Sequence, residues 1–263
     1  MGDIMTCKIN ADTSDGLKIV SDTSGTVDIQ NNGTTIAEVS SSSLAVTVAG
    51  SGVTDALKLT TTATNTVPGI LFNSDISDSQ HDIARIRGQQ DSSSAGGIIM
   101  ETETSGSLST KLKIDSIGAI TAPLQPAFSV VPASDQDDAT GNGTLATVVF
   151  GTEIFDKNAD FASNTFTAPV TGSYFLSASV TIHDVDANFT TGRLRITTSN
   201  RAYMYEFDPA ENISGAGVGS YSATVLADMD AADTAHVTII LYDSTKTVDI
   251  QVNGTFFQGY LMG

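Results

Sequence analysis

The chain has 263 residues and a formal net charge of −18, with 12 Lys and Arg against 30 Asp and Glu. That balance excludes a nucleic-acid-binding surface, which needs clustered cations, and disfavours attachment to anionic membranes. Hydrophobic residues make up 40%, enough for a core, but aromatics are only 6% and tryptophan is absent, so small and β-branched residues must build narrow sheets rather than one large core. No window keeps an apolar i, i+3, i+4, i+7 stripe for three turns, and the expected class is all-β. The acidity itself fits solubility and resistance to aggregation. The single cysteine, Cys7, leaves no intrachain disulfide and fits folding in a reducing cytoplasm. Met1-Gly2-Asp3-Ile4 lacks the basic and apolar regions of a secretory leader, and no run reaches the length of a membrane span.

Residues 1–50 contain short strand-like runs at Met5–Ile9, Leu17–Val20, Val27–Ile29 and Leu44–Val48. Asn32-Gly33, between Val27-Asp28-Ile29 and Thr34-Thr35-Ile36, predicts a tight hairpin. None of these runs buries enough area alone to offset its own ordering, so this segment needs a neighbouring sheet or sister chains. Asp15-Gly16-Leu17-Lys18-Ile19 is echoed at Asp55–Leu59 and Thr110–Ile114 with irregular spacing, which suggests successive small β-modules. In the third of these, three strands are expected, at Asp82–Gly88, Gly96–Thr102 and Leu112–Ile120. The Ala84-Arg85-Ile86 strand, the Gly96-Gly97 strand and Leu112-Lys113-Ile114-Asp115-Ser116-Ile117-Gly118 resemble a module of bacteriophage tail-fibre and tailspike shafts, over residues 57–121. The extreme N-terminus resembles short adaptor segments of phage structural proteins.

Thr121-Ala122-Pro123-Leu124-Gln125-Pro126 reads as a semi-stiff connector, because two prolines remove donors and favour extended backbone. Beyond it, Phe166 alternates with Thr165 and Thr167, Pro169 ends the ladder, and Thr171-Gly172 turns the chain. Tyr174, Leu176, Ala178 and Val180 then restart a period of two, while Phe175 interrupts the polar face, so both faces there are expected to be covered. Phe166-Thr167-Ala168-Pro169 followed by Gly172-Ser173-Tyr174-Phe175 resembles the signature of C1q/TNF-like domains. Ala127–Val130 resembles that family's opening strand, and Val149-Phe150, Phe155–Asn158 and Phe161 its approach to the Phe-Thr-Ala-Pro strand. Ser222–Leu226, an acidic loop ending in Asp233, Val237–Ile239 and the closing Thr255–Leu261 follow the same order. The resemblance covers residues 124–263 and implies a jelly roll with three-fold symmetry.

Catalysis finds little support in the residues. His81, His183 and His236 lie in or beside strand patterns with no nucleophile, zinc or phosphate-loop motif nearby. Cys7 beside Lys8 reads better as a small buried residue than as a reactive thiol. Glu101 and Glu103 share a strand face, and Asp228, Asp230 and Asp233 crowd one loop, but the chain has no room for the large β-helix of glycan-cutting spikes. The protein is therefore expected not to be an enzyme. The polar loop 135–144 offers Asp135, Asp137 and Asp138 to a hard cation. Ca²⁺ is the one cofactor considered, since C1q-like trimers often hold it, although the spacing does not match an EF-hand. His183-Asp184-Val185-Asp186 is weighed the same way. Tyr203, Tyr205 and Phe207 alternate on one strand and are assigned to the trimer axis in preference to sugar stacking.

The expected architecture is thus an all-β homotrimer. Residues 1–50 form an attachment segment, 51–122 an elongated shaft of small β-modules, and 123–263 a C1q/TNF-like jelly-roll head. The resemblances imply a virion appendage assembled in the host cytoplasm, a tail fibre or receptor-binding protein. Its N-terminal segment would dock on tail or capsid proteins, and exposed positions in loops 135–144 and 212–220 (Asp137, Asp138, Asn142, Asn212 and Ser214) would meet a host glycan or protein. Alternatives are a capsid decoration protein or head fibre, and a secreted bacterial C1q-like lectin. No nucleic acid and no membrane insertion are expected.

Overall fold

The computed structural model describes residues 27–31, 34–39, 44–46, 69–76, 79–92, 94–212, 217–245 and 247–263. The runs at Met5–Ile9 and Leu17–Val20, Cys7, Ser214 and the first two echo segments lie outside the described residues. The chain divides into two compact units, Met1–Ile70 and Leu71–Gly263.

In the first unit, β1 (Val27–Asn31), β2 (Thr34–Val39) and β3 (Leu44–Val46) form an antiparallel three-stranded sheet. Asn31 stands opposite Thr34, so β1 and β2 pair across Asn32-Gly33 as the turn chemistry predicts.

A five-stranded sheet in simple sequence order follows, its first strand starting at the end of the first unit: β4 (Gly69–Ile76), β5 (Ser79–Ser92), β6 (Ala95–Thr104), β7 (Ser107–Ile114) and β8 (Ile120–Thr121), antiparallel from β5 to β8. The run expected as one strand over Leu112–Ile120 is broken after Ile114. There one carboxylate oxygen of Asp115 accepts the amides of Ile117 (3.0 Å) and Ala119 (2.9 Å), and Gly118 takes a left-handed φ of 86°. β5 and β6 place Arg85, Arg87, Ile99 and Glu101 on one face and Ile86, Ile98 and Met100 on the other.

The head is a two-sheet sandwich. Its strands are β9 (Ala127–Val131), β10 (Gln136–Thr140), β11 (Ala146–Thr147), β12 (Thr152–Asp156), β13 (Phe161–Ala162), β14 (Thr165–Thr167) and β15 (Gly172–His183). They continue with β16 (Gly192–Thr198), β17 (Ala202–Phe207), β18 (Gly219–Met229), β19 (Thr234–Leu241), β20 (Val248–Ile250) and β21 (Phe256–Leu261). Among the described residues the only helical element is a 3-10 turn at Ala210–Asn212. One sheet contains the run β9-β21-β15-β18 and the other β14-β19-β16-β17. Counting these eight strands in chain order gives 1-8-3-6 facing 2-7-4-5, the connectivity of a jelly roll.

The core follows from the alternation. Tyr174, Leu176, Ala178, Val180 and Ile182 of β15 are fully buried, facing Leu194, Ile196, Val237 and Ile239 of the opposite sheet. Phe128 anchors one end, stacked on Phe166 (centroids 4.6 Å apart) and Phe161 (5.4 Å) and edge-on to Phe257 (4.9 Å). The Tyr174 hydroxyl donates to the Val170 carbonyl at 2.8 Å, fixing the corner after Pro169. Contrary to expectation, part of the polar loop 135–144 is an edge strand. β10 pairs with β20, because the short Val248–Ile250 strand leaves backbone groups that Gln136–Thr140 satisfy. Phe175 is only half-buried in the single chain, against Tyr260 at 5.3 Å.

Candidate functional site

The strand directions give the head two unlike ends. β15 starts at Gly172, where Ser173 donates to the Gly263 carbonyl and Leu261 donates to the Pro126 carbonyl. The chain therefore enters and leaves the head at this end. At about 3.3 Å per residue, the twelve residues of β15 carry its far end about 40 Å away.

That far end is a cap of connected loops. Phe189, fully buried, pins the 184–191 loop to the core. Val185 donates to the Gly217 carbonyl at 3.1 Å, and Tyr242 to the Thr191 carbonyl at 3.0 Å. The Thr190 hydroxyl donates to the Asp243 carboxylate. Gly143 donates to Leu241 (2.9 Å) and Ser244 to Gly141 (3.2 Å), which ties the 141–145 loop to the 242–245 loop. Gly141 permits this approach: its φ is +135°, and a Cβ there would lie 2.0 Å from the Thr245 carbonyl oxygen. Asn142, Thr144, Asp184, Asp186, Asn188, Thr190 and Asp243 are all exposed on the cap.

The two loops selected from sequence thus reach the same end, joined by 184–191 and 242–245, which sequence reasoning did not select as contacts. A signal was present in the polar Asn188-Phe189-Thr190 and in His183-Asp184-Val185-Asp186, the latter weighed above only as a cation candidate. Asn142 sits on the cap, where its side-chain carbonyl accepts the Thr144 amide (3.1 Å) and hydroxyl (2.6 Å). Asn212 ends the 3-10 turn. Asp137 and Asp138 lie lower, on β10. Asp138 has a left-handed φ of 48°, and its amide donates to the Asp249 carboxylate at 2.7 Å. Asp135 accepts the Val252 amide at 2.7 Å. These side chains and amides brace β10 against the β20 region. Among the described residues no group of three acidic, histidine or cysteine side chains is placed to hold a metal ion.

Tyr203, Tyr205 and Phe207 do share one face of β17, opposite Ile196, Leu194 and Gly192. That face looks into the sandwich, at the open edge between β17 and β18. Phe207 is a core residue, stacked on Tyr221 at 3.5 Å, and so cannot line an axis between chains. Burial pushes the Tyr221 phenol up from its ordinary value, and the Tyr203 phenol likewise, with the Asp228 carboxylate adding to the effect on Tyr203. Tyr205 is 47% exposed, and with Tyr203, Ile196, Ala223 and Val225 it lines a groove of ≈ 240 Å³. A second groove of ≈ 350 Å³ lies on the outer face of the β9-β21-β15 sheet, lined by Phe155, Phe175, Tyr260 and Lys157 among others.

Glu101, weighed above as one of two acidic partners, is 6% exposed and clamped by Arg85 (2.6 Å) and Arg87 (3.2 Å). Hydrogen bonds from Arg85 and then Arg87 hold its carboxyl below the usual range, against the opposing effect of burial. A carboxylate so engaged is a structural counter-ion, poorly suited to proton transfer.

No family model matches the chain, and no curated protein does. Among solved structures it is similar to the globular domain of zebrafish complement 1qA protein, with 19% identity over 53% of this chain and 98% of that chain and a TM-score of 0.39. It is also similar to murine APRIL at pH 8.0, with 14% identity over 52% of this chain and 99% of that chain and a TM-score of 0.39. The jelly roll assigned here rests on the strand order of the chain itself.

Proposed function

We propose that this protein is a non-enzymatic homotrimeric virion appendage, a tail fibre or receptor-binding protein whose head meets the bacterial surface through the loop cap. The observation that carries this reading is the polarity of the head. Its connected, exposed loops lie at the end opposite the one where the chain enters and leaves. Loops on a rigid sandwich are where recognition resides on such scaffolds. The resemblance of residues 57–121 to phage shaft modules supplies the setting. In this reading residues 1–50 dock on the particle.

Trimerisation suits the exposed apolar surface of the head. Tyr205 and Met204 on the open edge, and Phe155, Tyr260 and Leu226 on the outer sheet face, are all 46–53% exposed. Sister heads would cover both, and three caps held together would turn weak sites into avidity.

A tag on Gly263, imaged on labelled particles, tests the reading together with adsorption assays. Label confined to the tail, and purified protein that blocks adsorption to host cells, is the expected result. Label spread over the capsid would replace the reading with a decoration protein or head fibre. Absence of the protein from particles would leave the secreted lectin.

A further inference from the structure

The outer face of the β14-β19-β16-β17 sheet carries a cation that the chain does not neutralise. The sequence has five arginines, and all of them are among the described residues. Arg85 and Arg87 share Glu101, Arg193 pairs with Glu206 at 2.6 Å, and Arg201 pairs with Asp228 at 2.7 Å. Arg195 alone has no carboxylate partner among the described residues, and its Nε–H is buried without an acceptor. Register sets Thr238 directly opposite Arg195 on the same face. Thr238 is 3% exposed, and its hydroxyl is equally unpartnered. The row is completed by Thr147 and Met204, neither of which brings a carboxylate to it.

Buried donors without acceptors are costly, and native folds leave few of them. Here two stand side by side on adjacent strands, in a chain where acids far outnumber bases. We propose that Arg195 and Thr238 form a binding site for the carboxylate of an acidic saccharide. A guanidinium offers Nε–H and a terminal N–H as a planar fork that matches the two oxygens of a carboxylate, and the Thr238 hydroxyl is a third donor beside it. The net charge of −18 selects a singly charged group over a phosphate, because each added negative charge is repelled. Around the pair, Thr147, Thr197 and His236 offer polar groups to sugar hydroxyls, and Met204, 53% exposed, offers an apolar surface. Arg195 lies three residues from Gly192, the start of β16 beside the cap, or about 10 Å along the strand. The saccharide assignment rests on the surface-recognition reading above, whereas the carboxylate assignment rests on Arg195 and Thr238.

Saturation-transfer NMR on the full chain tests the site, with sodium glucuronate, glucose, sodium acetate and inorganic phosphate as probes at constant ionic strength. Glucuronate should bind about tenfold or more tighter than glucose, and tighter than acetate or phosphate. Arg195→Gln should lower glucuronate affinity about tenfold, and Thr238→Val about fivefold. Arg195→Lys, which keeps the charge but not the fork, should also weaken binding, and it keeps the test decisive if the glutamine variant does not fold. Equal binding of glucuronate and glucose, no binding of any probe, or full affinity in the Arg195 variants would overturn the inference. Tighter binding of phosphate would overturn the carboxylate assignment, and acetate binding as tightly as glucuronate would overturn the saccharide assignment. Adsorption blocking by a protein that binds no glucuronate would overturn this inference and leave the appendage reading standing. Glucuronate binding by a protein absent from particles would do the reverse.

Discussion

The sheet of residues 69–121 and the jelly-roll head use the same period-two alternation and reach opposite outcomes. In the head, the apolar face of β15 meets the apolar faces of β16 and β19, and Tyr174, Leu176, Ala178, Val180 and Ile182 lose all contact with water. In the β4–β8 sheet the aliphatic face stays exposed, and the two buried residues of β6 are Ile99 and Glu101, on the polar face. Alternation specifies a face that must be covered. It does not specify whether the cover comes from the same chain.

This contrast can be broken most severely in the head. Phe128→Ala removes the ring that touches Phe161, Phe166 and Phe257, and should cost about 3–5 kcal/mol, read from urea denaturation of the full chain. The two ends of the head separate next. Gly141→Ala forces a Cβ into the Thr245 carbonyl at a left-handed φ, and should cost about 1–3 kcal/mol. Its signature is loss of adsorption blocking while the core keeps its hydrogen-exchange protection.

For the single-layered sheet the equivalent change is polar. Glu101→Gln leaves Arg85 and Arg87 without their counter-charge, and should cost about 1–2 kcal/mol, seen as lower exchange protection across 84–102. Because the folded carboxyl is held below its usual range, its contribution is full above that range and disappears as pH falls through the depressed folded value. The glutamine variant should lack this acid-side loss. In the head, Tyr174→Phe leaves the Val170 carbonyl unpaired and should cost about 1 kcal/mol in the same denaturation assay.

The smallest effect has the opposite sign. Burial, with the nearby Asp156 charge adding to it, raises the Asp160 carboxyl above its ordinary value, while the Asn158 amide opposes the shift. An acid raised in the fold costs stability when ionised, and that cost disappears as pH falls through its folded value. Asp160→Asn should therefore stabilise the head slightly at neutral pH and flatten this gain on acidification, measured as Tm against pH. Glu101 and Asp160 together predict opposite signs on acidification: the sheet loses stability as pH falls below the usual carboxylate range, and the head is relieved as pH falls through the raised Asp160 value.

Much of the head was legible because its signals are local. Phe166, Pro169, Thr171-Gly172 and the Tyr174–Val180 alternation each act within a few residues, and each stands where the reading placed it. Asn32-Gly33 belongs with them. β10 was not legible, because Asp137-Asp138 in a polar stretch carries no strand signal. It is a strand because β20, over a hundred residues later, offers an unpaired edge. Phe207 was grouped correctly with Tyr203 and Tyr205 by period and wrongly by role, since the Tyr221 ring that buries it comes from another strand. The cap was half legible: its glycines and asparagines announced loops, but nothing local told that Gly141 would meet Ser244 and that Val185 would meet Gly217.

The sequence by itself determined the all-β class, most strand positions in the head, the turns, and which residues share a face, because these depend on backbone preferences and the two-residue repeat of a strand. The tertiary structure decided which faces are covered, which polar stretch becomes an edge strand, and which loops gather at the end remote from the chain's entrance. Those outcomes depend on backbone and side-chain partners supplied from far along the chain, and a local pattern carries the demand for a partner without carrying its identity.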